Sequence, residues 1–143
     1  MKGSKILLTV TLLAFGLLLS GCGNKTTLTC GLTQQGVGVE MKLGYDSDKI
    51  ESFLVEYSMD LSEYTDTQIN LLKDQDFCSR IASSFGSYGM AFTGCKQEVK
   101  NKELRIYTDV DLKKLDSDAL DEVKTVEAAR LSLETSGYIC KTN

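Results

Sequence analysis

Three residue types are missing from this chain: it has no proline, no histidine and no tryptophan. Without histidine the commonest general base and the commonest zinc ligand are gone, which excludes Ser-His-Asp, Cys-His and histidine-metal chemistry. Without proline there are no PxxP ligands and no proline-locked turns. Without tryptophan the chain has little flat surface for stacking sugars. Basic residues are outnumbered, 16 against 20 acids, for a net charge of −4 and a pI near 4.9. That balance argues against a nucleic-acid binder working by phosphate neutralisation, which needs clustered Lys and Arg.

What is present is 143 residues, 42% of them hydrophobic, enough for one domain. Lys2 and Lys5 precede residues 6–19, a leucine-rich stretch free of charge. This is the layout of a charged n-region and an apolar h-region. As a helix the stretch would cover ~21 Å, short of the ~30 Å hydrocarbon core, so it reads as a targeting segment and not as a permanent span. Leu19-Ser20-Gly21-Cys22 follows in register and looks like a bacterial lipobox. In signals of that kind the cysteine sulfur takes a diacylglyceryl group and cleavage falls just before it, because a thiol is the side chain nucleophilic enough to form the thioether. The expected organisation is a lipoprotein signal peptide over 1–21, lipidated Cys22 with a short polar tether over 22–26, and a single domain over 27–143. Removal of the leader, which carries two lysines and no acid, moves the net charge from −4 to −6.

In the body, Leu28, Cys30 and Leu32 alternate with polar or small residues, and Val37, Val39, Met41, Leu43 and Tyr45 do so more strongly. Phe53, Val55, Tyr57 and Met59 predict a third strand, with Asp46-Ser47-Asp48-Lys49 as the turn before it. Thr65 and Gln68 fit a capping box, and Ile69, Leu72, Phe77, Ile81 and Phe85 recur at helical spacing up to Gly86. Residues 90–99 and 103–112 predict two more strands. Thr125 caps a last helix through Val126, Ala129, Arg130 and Leu133 that Gly137 closes, and Tyr138-Ile139-Cys140 is a short strand or tail. The order β-β-β-α-β-β-α describes an α+β fold: an antiparallel sheet of about five strands with two helices packed on one face.

Cys30, Cys78, Cys95 and Cys140 form an even set in a chain expected to leave the cytoplasm, where cysteines pair. None of them lie at the Cys-x₂₋₄-Cys spacing of structural zinc, and no Cys-x-x-Cys supports a redox role. Three connectivities are open. The placement of Cys78 on a helix above the strand carrying Cys95, with Cys30 and Cys140 bracketing the domain, favours those two pairs.

The chain resembles the small YehR-like bacterial lipoproteins, in particular cysteine-bearing members of Gram-positive type. The resemblance rests on Leu28-Thr29-Cys30, Tyr64-Thr65-Asp66, Lys73-Asp74-Gln75-Asp76-Phe77-Cys78, Cys95-Lys96-Gln97 and Gly137-Tyr138-Ile139-Cys140-Lys141. It implies an α+β fold and supplies no catalytic residue. Other members lack the cysteines, which implies that the bridges stabilise a fold they do not create.

Other candidate sites are weaker. Asp109, Asp111, Asp116, Asp118, Asp121 and Glu122 form an acidic run, but the fifth and sixth places of a calcium loop beginning at Asp109 hold Lys113 and Lys114. Phe85-Gly86-Ser87-Tyr88-Gly89-Met90 is a flexible aromatic segment able to contact a ligand. Asp74 with Asp76, or Glu40 with Glu56, are carboxylate pairs in principle available for glycoside hydrolysis, yet serine motifs such as S-x-x-K and G-x-S-x-G are missing. The expectation is a lipid-anchored, non-enzymatic domain on the extracytoplasmic face of a bacterial membrane. It would need no cofactor or metal and would bind an envelope protein, not nucleic acid; the alternative is a small-ligand carrier with a pocket between sheet and helices. Cys22→Ser is expected to yield an uncleaved chain without lipid, read by mass spectrometry of the membrane-extracted protein. An amino-terminal peptide of unmodified mass in the wild type overturns the lipobox reading.

Overall fold

The computed structural model describes residues 26–143. The expected signal peptide over 1–21 and Cys22 lie outside the described residues. Alternating side chains build a single sheet from β1 (Thr26–Gln34), β2 (Val37–Asp46), β3 (Lys49–Asp60), β4 (Phe92–Lys100), β5 (Glu103–Val110) and β6 (Ile139–Thr142). All pairings are antiparallel, in the order β4-β5-β3-β2-β1-β6. Two hairpins turn through paired left-handed residues, Gln35 with Gly36 and Asn101 with Lys102 (φ between 51° and 78°), the geometry that matches strand twist.

One face of this sheet is apolar row by row. Leu28, Leu43 and Phe53 lie side by side, and next to them run Cys140, Cys30, Met41, Val55 and Thr108 across five strands. Full burial of a Leu, Val or Phe in such a row is worth ~1.5–3 kcal/mol. Thr108, 2% exposed, is the buried polar member, and its hydroxyl donates to the Thr93 carbonyl at 3.2 Å. The opposite face carries Thr29, Lys42, Glu40, Glu56 and Arg105, with Lys42 held at 3.0 Å from Glu40 and 3.4 Å from Glu56. Such solvent-facing ion pairs contribute little.

All the helices pack on the apolar face, in two units. The first is α1 (Asp66–Lys73) with α2 (Phe77–Ser84), whose Ile69 and Ile81 bury against Leu104 and Ile106. The second is α3 (Ser117–Val123) with α4 (Val126–Thr135), whose Ala119, Val123 and Ala129 bury against Leu28, Leu43 and Val55. The fold class is therefore α+β, with six strands and four α-helices among the described residues in place of about five and two.

Each difference has a local cause. The helix expected from Thr65 to Phe85 starts with the capping box at Thr65 and Gln68 but breaks after Lys73, because Asp76 acts as a second N-cap. Its carboxylate accepts from the Ser79 hydroxyl at 2.7 Å and the Ser79 N–H at 3.1 Å, which holds it below the usual carboxylate range. Gln97 of β4 secures the break by accepting from Phe77 N–H at 3.1 Å and donating to the Gln75 carbonyl at 2.8 Å. The acidic stretch around Asp116 forms the additional helix α3, since Asp116 accepts from Ala119 N–H at 2.8 Å. The fifth strand stops at Val110, and Leu112 enters a short 3-10 turn. The carboxyl-terminal tail is the sixth strand, added to the β1 edge.

One bridge closes the sheet edge and the other ties a helix to the sheet. Cys30 is bonded to Cys140, its direct neighbour across β1 and β6. Cys78 on α2 is bonded to Cys95 on β4. A β-bulge makes the second bond possible. Between Thr93 and Lys96, β4 gains one residue relative to β5, with Gly94 at φ 61°. Phe92 and Gln97 lie in register with the core residues Val110 and Ile106; unbroken alternation from Phe92 would send Cys95 to the solvent face, and the extra residue returns it to the helix side. Two closed bridges point to folding in an oxidising environment outside the cytoplasm. Among the described residues no helix is long and apolar enough to cross a membrane.

The bridges span sequence separations of 110 and 17 residues. Constraint of the unfolded chain makes loops of roughly these lengths worth ~4.7 and ~3 kcal/mol. Removing Cys30 and Cys140 together is thus expected to cost ~1–2 kcal/mol more than removing Cys78 and Cys95 together, measured by urea denaturation. The reverse order would contradict this account.

Candidate functional site

Where the two helical units approach each other over the sheet, they leave a cleft of ≈300 Å³. Its floor is Met41, Phe53 and Val55 from β2 and β3. One wall comes from the end of α2 and the chain beyond it: Ser84, Phe85, Tyr88 and Phe92. The other is Glu122 and Val123 of α3 with Ser132, Leu133, Ser136 and Tyr138 at and after the end of α4. The volume sits at the lower end of the range for small-molecule sites.

Local sequence places these groups. Gly86 (φ 58°) stops α2 and lets the chain turn, so that Phe85 and Tyr88 fall on the cleft side while Met90 is left 82% exposed. A Cβ on Gly89 would collide with the Ala82 carbonyl, so glycine alone permits the 3-10 turn Gly89–Ala91 to press onto α2. Phe85 packs against Phe92 at 5.4 Å between ring centroids, and Phe53 meets Tyr88 edge-on at 6.2 Å. Both are ordinary aromatic-pair geometries.

Tyr88 is the strut between the units. Its hydroxyl donates to Glu122 Oε2 at 2.7 Å, with the Ala119 carbonyl oxygen at 3.3 Å. Burial, then the Glu122 carboxylate, push the phenol well above its usual 10.0. Burial also raises the Tyr138 phenol. The Ser84 hydroxyl donates to the Ile81 carbonyl at 2.8 Å and the Ser136 hydroxyl to the Ser132 carbonyl at 3.0 Å. Their protons are thus committed to helix ends, and the cleft retains oxygen lone pairs.

The sequence candidates are distributed differently. The aromatic segment contributes Phe85 and Tyr88 to the cleft. The acidic run divides into separate tasks: Asp111 and Asp116 are caps, Asp109 lies in β5, and Glu122 faces Tyr88. Asp74 and Asp76 end and begin helices. Glu40 and Glu56 are cross-strand partners bridged by Lys42 on the uncovered face. Cys30, Cys140, Cys78 and Cys95 are all spent in bridges that hold the cleft's surroundings. Sequence reasoning missed Phe53, Phe92, Leu133 and Tyr138 as cleft residues, since each lies on an apolar face that reads as core.

An antiparallel sheet covered on one side by helices, with a small aromatic cleft beneath them, places this molecule among α+β proteins of the open-faced sandwich kind. Among solved structures it is similar to the NMR structure of Escherichia coli YehR, at a TM-score of 0.54 and 12% identity over 83% of this chain and 92% of that one. That likeness establishes a shared fold. The NMR structure of a protein from Streptococcus pneumoniae also aligns, with 15% identity over 99% of this chain and 98% of that one, at a TM-score of 0.46. No protein-family model and no curated protein matches the sequence.

Tyr88→Phe is expected to cost about 1–2 kcal/mol, because a hydrogen bond to a charged group is lost and the Glu122 carboxylate loses its donor. The wild type also gains an alkaline dependence from this residue. In the unfolded chain the phenol ionises near 10.0, while in the fold it stays protonated to higher pH. Its stabilisation is complete below that value and declines as pH rises through the folded-state pKa. Urea denaturation at pH 7 to 11 should show a shallower decline for Tyr88→Phe than for the wild type.

Proposed function

We propose that this chain is a lipid-anchored, non-enzymatic lipoprotein of the YehR-like kind, held on the extracytoplasmic face of a bacterial membrane through Cys22, and that it binds a small apolar ligand. The observation that carries the ligand reading is the ≈300 Å³ cleft between sheet and helices. A protein-docking domain calls for an exposed apolar patch instead. The exposed large hydrophobics Tyr64, Leu71, Met90, Leu120, Leu131 and Ile139 are spread over the segment before α1, α1, the 3-10 turn after α2, α3, α4 and β6. The lipobox, the two bridges and the resemblance at the cysteine motifs support the anchored, extracytoplasmic placement. The cleft's side chains support binding over catalysis, since they are mainly aromatic and aliphatic, the Ser84 and Ser136 hydroxyls are bonded to helix carbonyls, and the one carboxylate accepts from Tyr88.

The test is uptake of the neutral fluorescent dye N-phenylnaphthylamine by the intact, oxidised protein. Saturable fluorescence enhancement is expected at a single site. Ser132→Trp, which puts a large ring into the cleft from α4, should weaken it at least about tenfold. Met90→Ser, outside the cleft, should leave it unchanged. Equal uptake by the Ser132→Trp variant would remove the cleft as the binding element.

A further inference from the structure

We propose that the cleft selects an organic cation: an amine or quaternary ammonium compound with an apolar body. This rests on the cleft being the ligand site and adds the charge and chemical class of what it takes.

The argument begins with what lines the cavity. Glu122 is the single charged residue there, and no lysine or arginine takes part. Five aromatic rings, Phe53, Phe85, Tyr88, Phe92 and Tyr138, supply much of the rest. Ring faces attract cations through their quadrupole, and the effect grows when water is excluded. The polar groups point the same way. The Ser84 and Ser136 hydroxyl protons are occupied by helix carbonyls, so their oxygens can only accept. Glu122 takes the Tyr88 proton on Oε2, while Oε1 has no hydrogen bond or ion pair among the described residues. The Ser132 and Tyr138 hydroxyls have no hydrogen bond among the described residues and can donate or accept, so the charge preference of the cavity is set by Glu122 and the rings.

Glu122 is solvent-exposed and stands at the mouth of the cleft, where it repels an anionic ligand with no cation to offset it, while a neutral apolar ligand gains nothing from its charge. A monocation satisfies both the rings and the free oxygen. The surrounding field favours it as well: Asp116 is close enough for its charge to raise the Tyr88 phenol, and the whole chain is net negative. A volume of ≈300 Å³ limits the guest to one small molecule and excludes polyamines of several charges in extended form.

The experiment compares three probes of one shape and different charge: choline, its uncharged carbon analogue dimethylbutanol, and the anion dimethylbutanoate. Each is titrated into the intact, oxidised protein in a non-ionic detergent and followed by amide chemical shifts. Choline is expected to bind at least about tenfold more tightly than the alcohol, with the anion weakest and the shifts centred on Tyr88, Glu122 and Tyr138. Glu122→Gln keeps an acceptor for Tyr88, so the wall holds, and it should reduce choline to the affinity of the alcohol. Asp118→Asn, an acid of the same helix outside the cleft, should change choline binding less than about twofold. If the alcohol matches choline and both shift the cleft residues, the cation preference is overturned while the cleft stands as a binding site. If no probe shifts those residues and the neutral dye is not taken up either, the ligand reading and this inference fall together.

Discussion

The molecule depends on one sheet face, because its helices are too short to stand alone. Among the described residues the four α-helices run 8, 8, 7 and 10 residues, below the ~12–15 at which even good helical sequences become marginal in water. Each therefore needs a cap at its start and a hydrophobic floor beneath it. Thr65, Asp76, Asp116 and Thr125 provide the caps, and Leu28, Leu43, Val55, Leu104 and Ile106 provide the floor. The first unit is additionally pinned to β4 at adjacent inward positions, by the Cys78–Cys95 bond and by the Gln97 amide.

The cleft follows from the same economy of short pieces. Two separate units on a six-stranded sheet cannot fill the seam between them with aliphatic side chains alone, and the gap is spanned by Tyr88 reaching Glu122. Phe85 and Phe92 belong to the packing on both sides of this seam. The wall that carries Phe85 and Tyr88 follows directly from the helix that Cys78 fastens to the sheet. Stability and cavity shape therefore share residues.

Much of this was legible in the sequence, because it was written in local periodicity. The alternation from Val37 to Tyr45, the capping box at Thr65 and Gln68, and the stop at Gly137 (φ 92°) are short-range signals, and the structure follows them. The helix break at Asp76 was harder to read, since the side chain that secures it, Gln97, lies 20 residues beyond Phe77 in the chain. The phase slip at Gly94 was available in principle: Phe92 and Cys95 are three apart, so strict alternation cannot place both inward. The cleft was the least legible part. Phe53, Phe85 and Tyr138 converge from distant elements, and each by itself obeys the pattern of an ordinary core residue. The role of Cys22 rests on its sequence context alone.

The two ends of the domain meet on one edge, where Thr27 and Asn143 exchange backbone hydrogen bonds at 3.3 and 2.9 Å, and the first staple sits just inward at Cys30 and Cys140. A pull on the amino-terminal end would peel β1 from its neighbours one residue at a time. Such peeling halts at Cys30, where the covalent link hands the load to the carboxyl-terminal strand and through it to α4. Such a pull yields only the first few residues, and beyond them the load runs through Tyr138 and α4, so the wall of the aromatic chamber is the element that would feel it.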